Sequence, residues 1–423
     1  MRIGFALIGN PPFMPTGYGT QCRLLGESLV ADGYDVCHIS DWNYSGPMMD
    51  YRGISVYPVS EHPGTLSSDD LKSKISHFCA ERDLDDIICI FLGDIWKWNG
   101  LGSYMPNSLI ICPVDGDALM PREVMELSSF RHVAAMSQHG ARVIQEHTGM
   151  VPLLLPHGYD PELRSAVEGQ SVRAIRSRWA DLRSKSRVQL PRGDNAFVVG
   201  FFGDMSVRKE PEINLAGFRR FVEGLPVEER EYVKLYLKGK PDHPQGHDAS
   251  IYKQLGIPDS MVITVPDSLS LLGLSNTQMA RLLKGVDVLL HCSSQEGFGI
   301  FQIEAQALGT PIVNSNFGPM ADLNACEDLI IDVSSYRTHN GISYGQVDID
   351  SVAKKLRLLY DEWRDQEEGQ VLWRSRQQVV TDWANNWSYD VIYKTEIKPA
   401  LENIADSLKA PRITIRKPNK TVA

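Results

Sequence analysis

No apolar run in this chain reaches the roughly 18 residues that a membrane-crossing helix needs. The opening Met1-Arg2-Ile3-Gly4-Phe5-Ala6-Leu7-Ile8-Gly9 is apolar only for the length of a strand, and no small-residue cleavage pattern follows it. Neither a signal peptide nor a membrane span is expected. Cysteine is sparse and unpatterned: seven residues, an odd number without a CxxC pair, several inside apolar runs such as Ile88-Cys89-Ile90. That excludes a disulfide framework and points to reduced core thiols in a cytoplasmic protein. Excess basic charge is missing as well. With 43 Lys and Arg against 53 Asp and Glu, the net charge of −10 disfavours unspecific binding of nucleic acid or anionic membrane by the molecule as a whole. There is no nucleophile elbow to serve a Ser/His/Asp or Cys/His triad, and no His, Asp and Glu cluster has metal-ligand spacing. Hydrolase chemistry is not indicated, and no metal site is expected.

What the chain does have is alternation. Apolar stretches at Ile3 to Ile8, Val36 to Ile39, Ile87 to Leu92, Leu109 to Cys112, Val133 to Met136 and Val151 to Leu155 are separated by amphipathic segments such as Gln21 to Asp32 and Ser137 to Thr148. Near-continuous hydrophobic strands between helices are the mark of a parallel sheet covered on both faces. A second series runs through Phe197 to Phe202, Val233 to Leu237, Val262 to Val265, Val286 to Leu290, Ile312 to Asn314 and Leu329 to Ile331. The fold class is therefore α/β, with two doubly wound Rossmann-like domains and ligands expected in the cleft outside the carboxyl ends of their strands. The expected division is 1–160 for the first domain, 161–195 for a basic interdomain segment, 196–385 for the second domain and 386–423 for a C-terminal helix and basic tail.

The most informative stretch is Ser293-Ser294-Gln295-Glu296-Gly297-Phe298-Gly299-Ile300-Phe301-Gln302-Ile303-Glu304, continuing through Ala305, Ala307 and Gly309 to Pro311-Ile312-Val313. Two carboxylates eight positions apart bracket a glycine-containing turn between a strand and a helix. Backbone N–H groups, helix dipole and acids converge there, as a phosphorylated, hydroxyl-rich ligand requires.

This run resembles the E-x7-E signature of the family-4 glycosyltransferases, retaining enzymes of the GT-B fold, and the resemblance covers most of the chain. It implies that Glu296 lies beside the donor sugar, that Gly297, Phe298, Gly299 and Ile300 hold donor sugar and phosphate, and that Glu304 binds the nucleotide ribose. It also implies a C-terminal helix crossing back to the N-terminal domain. The expected co-substrate is a nucleotide sugar, UDP- or GDP-linked, with no cofactor and no metal.

Gly17 and Gly19, in the loop before the first long helix, let backbone approach a ligand closely. They match the family's glycine-rich loop facing donor phosphate and acceptor. In Gly203-Asp204-Met205-Ser206-Val207-Arg208-Lys209, Lys209 matches a family lysine that meets the leaving diphosphate. Asp204 departs from the family arginine, a role that Arg208 could supply. Asp115-Gly116-Asp117 has the form of a metal-binding DxD but follows a strand of the wrong architecture, so both acids are read as cleft-lining. Asp115 or Asp117 could orient the acceptor hydroxyl or cap the next helix. Asp94 and Trp96 could reach the same cleft mouth. His157, in Pro156-His157-Gly158-Tyr159-Asp160, resembles a residue of the turn that ends the family's first domain and is read as hinge or pocket rather than base.

The segment Arg164 to Arg192 carries eight basic residues against Glu168 and Asp181. It could guide a polyanion such as DNA, although a solvated interdomain helix is the preferred reading. The loops are also similar to those of compact enzymes of bacteria and their phages, which leaves DNA bases, proteins and glycans open as acceptors and implies the host cytoplasm if the chain is phage-encoded. Two alternatives stand beside the transferase: a nucleotide-sugar epimerase, and a degenerate sugar-nucleotide-binding protein motivated by Asp204.

Overall fold

A computed structural model of the chain describes residues 1–42, 44–59, 66–105, 107–177, 179, 196–203, 205–239, 250–266, 269, 273–339, 341–365 and 368–409. Asp204, the basic tail and the part of the basic segment carrying Arg178, Arg183, Lys185, Arg187 and Arg192 lie outside the described residues.

The first sheet runs in the order β3 (Met49–Tyr51), β4 (Ile54–Tyr57), β2 (Val36–Ser40), β1 (Ile3–Gly9), β5 (Asp86–Leu92), β6 (Ser108–Cys112), β7 (His132–Ala135) and β8 (Leu153–Leu154). All neighbours are parallel except β3 and β4. The second sheet is wholly parallel, in the order β11 (Val262–Thr264), β10 (Val233–Lys238), β9 (Phe197–Phe202), β12 (Val288–His291), β13 (Ile312–Ser315) and β14 (Ile330–Ile331). The central strands β1 and β9 are buried along their whole length, so helices on both faces leave them no polar side.

Strand order reverses between β1 and β5 in the first sheet and between β9 and β12 in the second. At such a switch the connections leave in opposite directions and open a crevice at the carboxyl edge. The segments that leave these edges are 10–16 after β1, 93–97 after β5, 203–209 after β9 and 292–299 after β12, which between them hold most of the candidate site residues.

Two antiparallel pairs exceed the alternating series read from the sequence. One is β3 with β4 at the edge of the first sheet. The other joins β15 (Val333–His339) to β16 (Ile342–Val347), a hairpin for which Asn340-Gly341 is the sequence signal. Val151 to Leu155, read as a full strand, supplies only the two residues of β8, with Val151 81% exposed.

The C-terminal helices cross back, as the resemblance implies. Trp373 and Val380 of the helix Glu368–Ala384 are buried in the core of the second sheet. Beyond it, Tyr389, Ile392, Tyr393, Ile397, Leu401 and Ile404 join the core of the first sheet. The crossing is pinned by paired backbone bonds between Tyr159 and residues 387 and 389. Gly158 is required here, since a Cβ on it would lie 2.5 Å from the Tyr389 Cα.

Candidate active site

The loops after β9 and β12 meet at a buried ionic cluster. Glu296, 5% exposed, pairs with the Lys209 ammonium and lies 3.1 Å from Arg208. It also accepts hydrogen bonds from His291 Nε2 at 2.9 Å and Ser293 Oγ at 3.1 Å. Burial alone would push the Glu296 carboxyl upward. Lys209 and Arg208, with His291, outweigh it and hold the group well below the usual range. Burial lowers His291, so the imidazole is neutral and carries its proton on Nε2 toward the carboxylate.

Asn214 positions this cluster. Wholly buried in the helix Pro211–Glu223, it donates to the carbonyls of Lys209 at 3.1 Å, Glu210 at 2.8 Å and Cys292 at 3.1 Å, and accepts from the Cys292 N–H at 3.0 Å. Ser294 N–H and Oγ both donate to the Arg208 carbonyl. One side chain and one serine thus lock the cation-bearing loop to the acid-bearing loop. Sequence reasoning missed His291, Ser293 and Asn214; a polar Asn among the apolar residues of a buried helix face was the signal for the last.

Across the cleft, Gly297 abuts the loop after β6. A Cβ on Gly297 would lie 2.2 Å from Pro113 Cβ and 2.8 Å from Asp115 Oδ1. The half-buried Asp115 makes no hydrogen bond among the described residues, and burial first, then Glu296 and Asp94 against Arg208 and Lys209, raise it to about 6. Asp94 accepts from Tyr18 Oη at 2.9 Å, and Tyr18 stays protonated because burial and the neighbouring acids raise it well above its ordinary value. Trp96 is 56% exposed. Asp117 accepts from the Ser343 N–H at 2.9 Å, tying the first sheet's loop to the β15–β16 hairpin. The cap of the next helix, Pro121–Leu127, comes instead from Glu123, which accepts from the Met120 N–H at 2.8 Å.

The glycines divide. Gly17 opens the helix Gly17–Ala31 and a Cβ there would meet open space. Gly19 lies within that helix; its N–H is already bonded to Thr16 Oγ1 at 3.0 Å, and a Cβ would lie 2.5 Å from the Met14 carbonyl. Packing therefore constrains Gly19 to glycine. Gly299, at φ +96, turns the chain into the helix Ile300–Ala307, whose first N–H groups face outward from the same edge as Glu296. Phe298 packs edge-on against His157 at 5.3 Å, and burial lowers His157 to about 3, leaving it neutral.

Glu304, on that helix, is 8% exposed and its Oε2 has no partner among the described residues. Burial, then Asp160, against Lys238, raises its carboxyl to about 8. An unpartnered buried carboxylate is expensive to maintain, and a ligand hydroxyl would satisfy it.

Within the basic segment, Arg176 is 5% exposed, bonded to Asp287 at 2.6 Å and to the carbonyls of Gly285 and Ala196. Arg164 donates to Asn385. These two arginines bind the chain to itself. Among the described residues no group of three or more His, Cys, Asp or Glu could hold a metal ion, and no helix is long and apolar enough to cross a membrane.

Residues 185–370 match the family model of the glycosyl transferases group 1. Sucrose-phosphate synthase from Thermosynechococcus elongatus superposes over 96% of this chain and 100% of its own, with a TM-score of 0.68 at 16% identity. The chain has the GT-B glycosyltransferase fold. Anabaena HepE, solved in complex with UDP and glucose, superposes over 95% of this chain and 100% of its own, with a TM-score of 0.60 at 14% identity. In sequence, a D-inositol 3-phosphate glycosyltransferase of Stackebrandtia nassauensis is 28% identical over 169 residues, 38% of this chain and 33% of the relative. The chain thus spans about a third of the length of the curated relatives it first matches.

Proposed function

We propose that this chain is a retaining glycosyltransferase that moves a sugar from a nucleotide-sugar donor to an acceptor hydroxyl in the cytoplasm, without a metal. The observation that carries the reading is the Glu296, Lys209 and Arg208 cluster at the switch point of the second sheet, facing Asp115 across the cleft. The family match over 185–370 and the GT-B fold support it.

The donor ribose would bond to Glu304, relieving its orphaned oxygen, and the Gly297 to Ile300 turn would receive sugar and phosphate. A UDP-sugar is the first choice, with a GDP-sugar second; the relative solved with UDP and glucose supports that order. As the glycosidic bond breaks, charge develops on the diphosphate, and fixed cations at Lys209 and Arg208 stabilise it without reorganising. Their counter-ion Glu296 keeps them in place before donor arrives, then turns toward the sugar. The acceptor attacks from the face the diphosphate is leaving, and the leaving phosphate takes the acceptor proton. Asp115, near half-ionised at about pH 6, accepts a hydrogen bond from the nucleophilic hydroxyl and orients it. His157, neutral and enclosed by Phe298 and Tyr18, has no part in proton transfer.

The test is thermal unfolding with UDP-, GDP-, ADP- and TDP-sugars in EDTA, for the wild type and Glu304→Ala, followed by NMR of the product's anomeric configuration. A donor at 100 times its dissociation constant stabilises by about 2.7 kcal/mol. One donor should shift the wild type and far less the variant, and the new linkage should keep the donor's configuration. A donor rearranged with no acceptor consumed would indicate an epimerase; the absence of any shift would remove the transferase reading.

A further inference from the structure

Beside Asp115 lies a recess of about 130 Å³, walled by the Asp94 to Trp96 turn, the 113–119 loop, Glu123, Gln295 and the hairpin residue Ile342. Three carboxylates line it, and no Lys, Arg or His does. The nearby cations are already paired: Arg208 with Glu296 at 3.1 Å and with the Gln295 carbonyl at 3.3 Å, and Lys209 with Glu296. Lys97 pairs with Asp41, and Arg122 donates to Asn99 Oδ1 at 2.6 Å and to the Trp96 carbonyl. Gln295, which lines the recess, is 6% exposed, and its side-chain amide makes no hydrogen bond among the described residues, leaving it a donor and an acceptor for a ligand. Trp96 presents an exposed indole at the rim.

Carboxylates that accept from hydroxyls, an amide that both donates and accepts, and an aromatic face for C–H edges form a surface for a neutral sugar ring. A phosphate there would meet like charge on three sides, and the adjoining cation, Arg208, already pairs with Glu296. We infer that the acceptor unit entering this recess is an uncharged sugar, not a phosphorylated one, in contrast to the inositol 3-phosphate named for the curated relatives. The inference rests on the transferase reading and specifies its acceptor. Asp115 and Gln295 bond the ring hydroxyls, Trp96 stacks on the ring, and Ile342 closes the outer wall. The step balances without further reagents: the acceptor O–H bond and the donor C–O bond break, a new C–O bond forms, and the proton leaves on the diphosphate.

The test uses the full chain with the four nucleotide glucoses, following nucleotide diphosphate release without acceptor and with matched pairs: glucose and glucose 6-phosphate, myo-inositol and its 3-phosphate, maltose and maltose phosphate, and a hydroxymethylcytosine duplex. In at least one pair the neutral sugar should raise release about tenfold more than its phosphate. Gln295→Leu should raise the KM for that sugar about tenfold with kcat little changed, since uniform binding is lost. Trp96→Ala should also raise KM, with an unfolding midpoint equal to wild type because the indole is outside the core. A phosphorylated member that equals or beats its partner, stimulation by the duplex alone, or release that no neutral sugar raises overturns the inference while leaving donor use intact. Absence of any donor-dependent release or midpoint shift overturns the transferase reading itself.

Discussion

Replacing Glu304 by Gln should make the unliganded protein more stable, although it removes a group placed on the donor. The carboxyl is 8% exposed, and burial with Asp160 raises it from 4.5 to about 8. Below pH 4.5 it is protonated in both folded and unfolded chains and has no linkage effect. Between 4.5 and 8 the unfolded chain releases a proton that the folded protein retains, so stability falls by about 1.4 kcal/mol per pH unit. The loss reaches about 3 kcal/mol at pH 7 and levels off above pH 8. Gln is uncharged, of similar volume, and cannot ionise in the unfolded chain, so it abolishes this slope. For 423 residues an unfolding entropy of about 0.9 kcal/mol per kelvin converts the gain to about 3 °C at pH 7. Scanning calorimetry of both proteins without ligand, from pH 4.5 to 8, should give midpoints that coincide at the acid end and separate as pH rises. An equal or lower midpoint for the variant at pH 7, or a gain independent of pH, would refute the burial argument for Glu304.

The same carboxyl should make donor affinity pH-dependent. Ribose hydroxyls favour the anion, so affinity measured by calorimetry should rise from pH 6 toward 8 with release of a proton; a flat profile counts against Glu304 as a ribose ligand. Lys209→Met should lower stability by about 3–5 kcal/mol, by stripping a buried carboxylate of its closest cation, and abolish turnover. Chemical denaturation reads the first, and an unchanged midpoint would contradict the ionic cluster. Gly297→Ala, which drives a methyl into Pro113 and Asp115 from the opposite side of the cleft, should cut kcat/KM at least tenfold while donor still shifts the unfolding midpoint. Full activity in that variant would mean the lobes do not close as tightly as this geometry has them.

Much of the fold was legible because parallel strands buried on both faces leave continuous apolar runs. Phe197 to Phe202 was read to the residue, and most other strands to within a position or two. The hairpin Val333–His339 with Ile342–Val347 escaped because its Ser, Tyr, Arg and Thr residues make no apolar run, and only Asn340-Gly341 marked it. At the candidate site, Glu296, Lys209 and Glu304 could be singled out from motifs, and the structure pairs the first two. Their partners could not: His291, Ser293 and Asn214 are single polar residues in apolar surroundings, and their meaning depends on the adjacency of β9 and β12, which sequence distance hides. At Gly19 the structure adds a packing constraint that the sequence does not show, since a Cβ there would lie 2.5 Å from the Met14 carbonyl.

The crossing of the C-terminal helices sets the order in which the molecule can be made. Tyr393 Oη donates to Asp32 at 2.7 Å across 361 positions, and Lys398 pairs with the same carboxylate. Until those helices emerge from the ribosome, the face of the first sheet that they cover stays open to water and to aggregation, whereas the second sheet acquires its own helices as it is synthesised. The slow step in folding should be the docking of residues 389–409, a closure over nearly the whole chain. The lobe that is synthesised first is the one completed last.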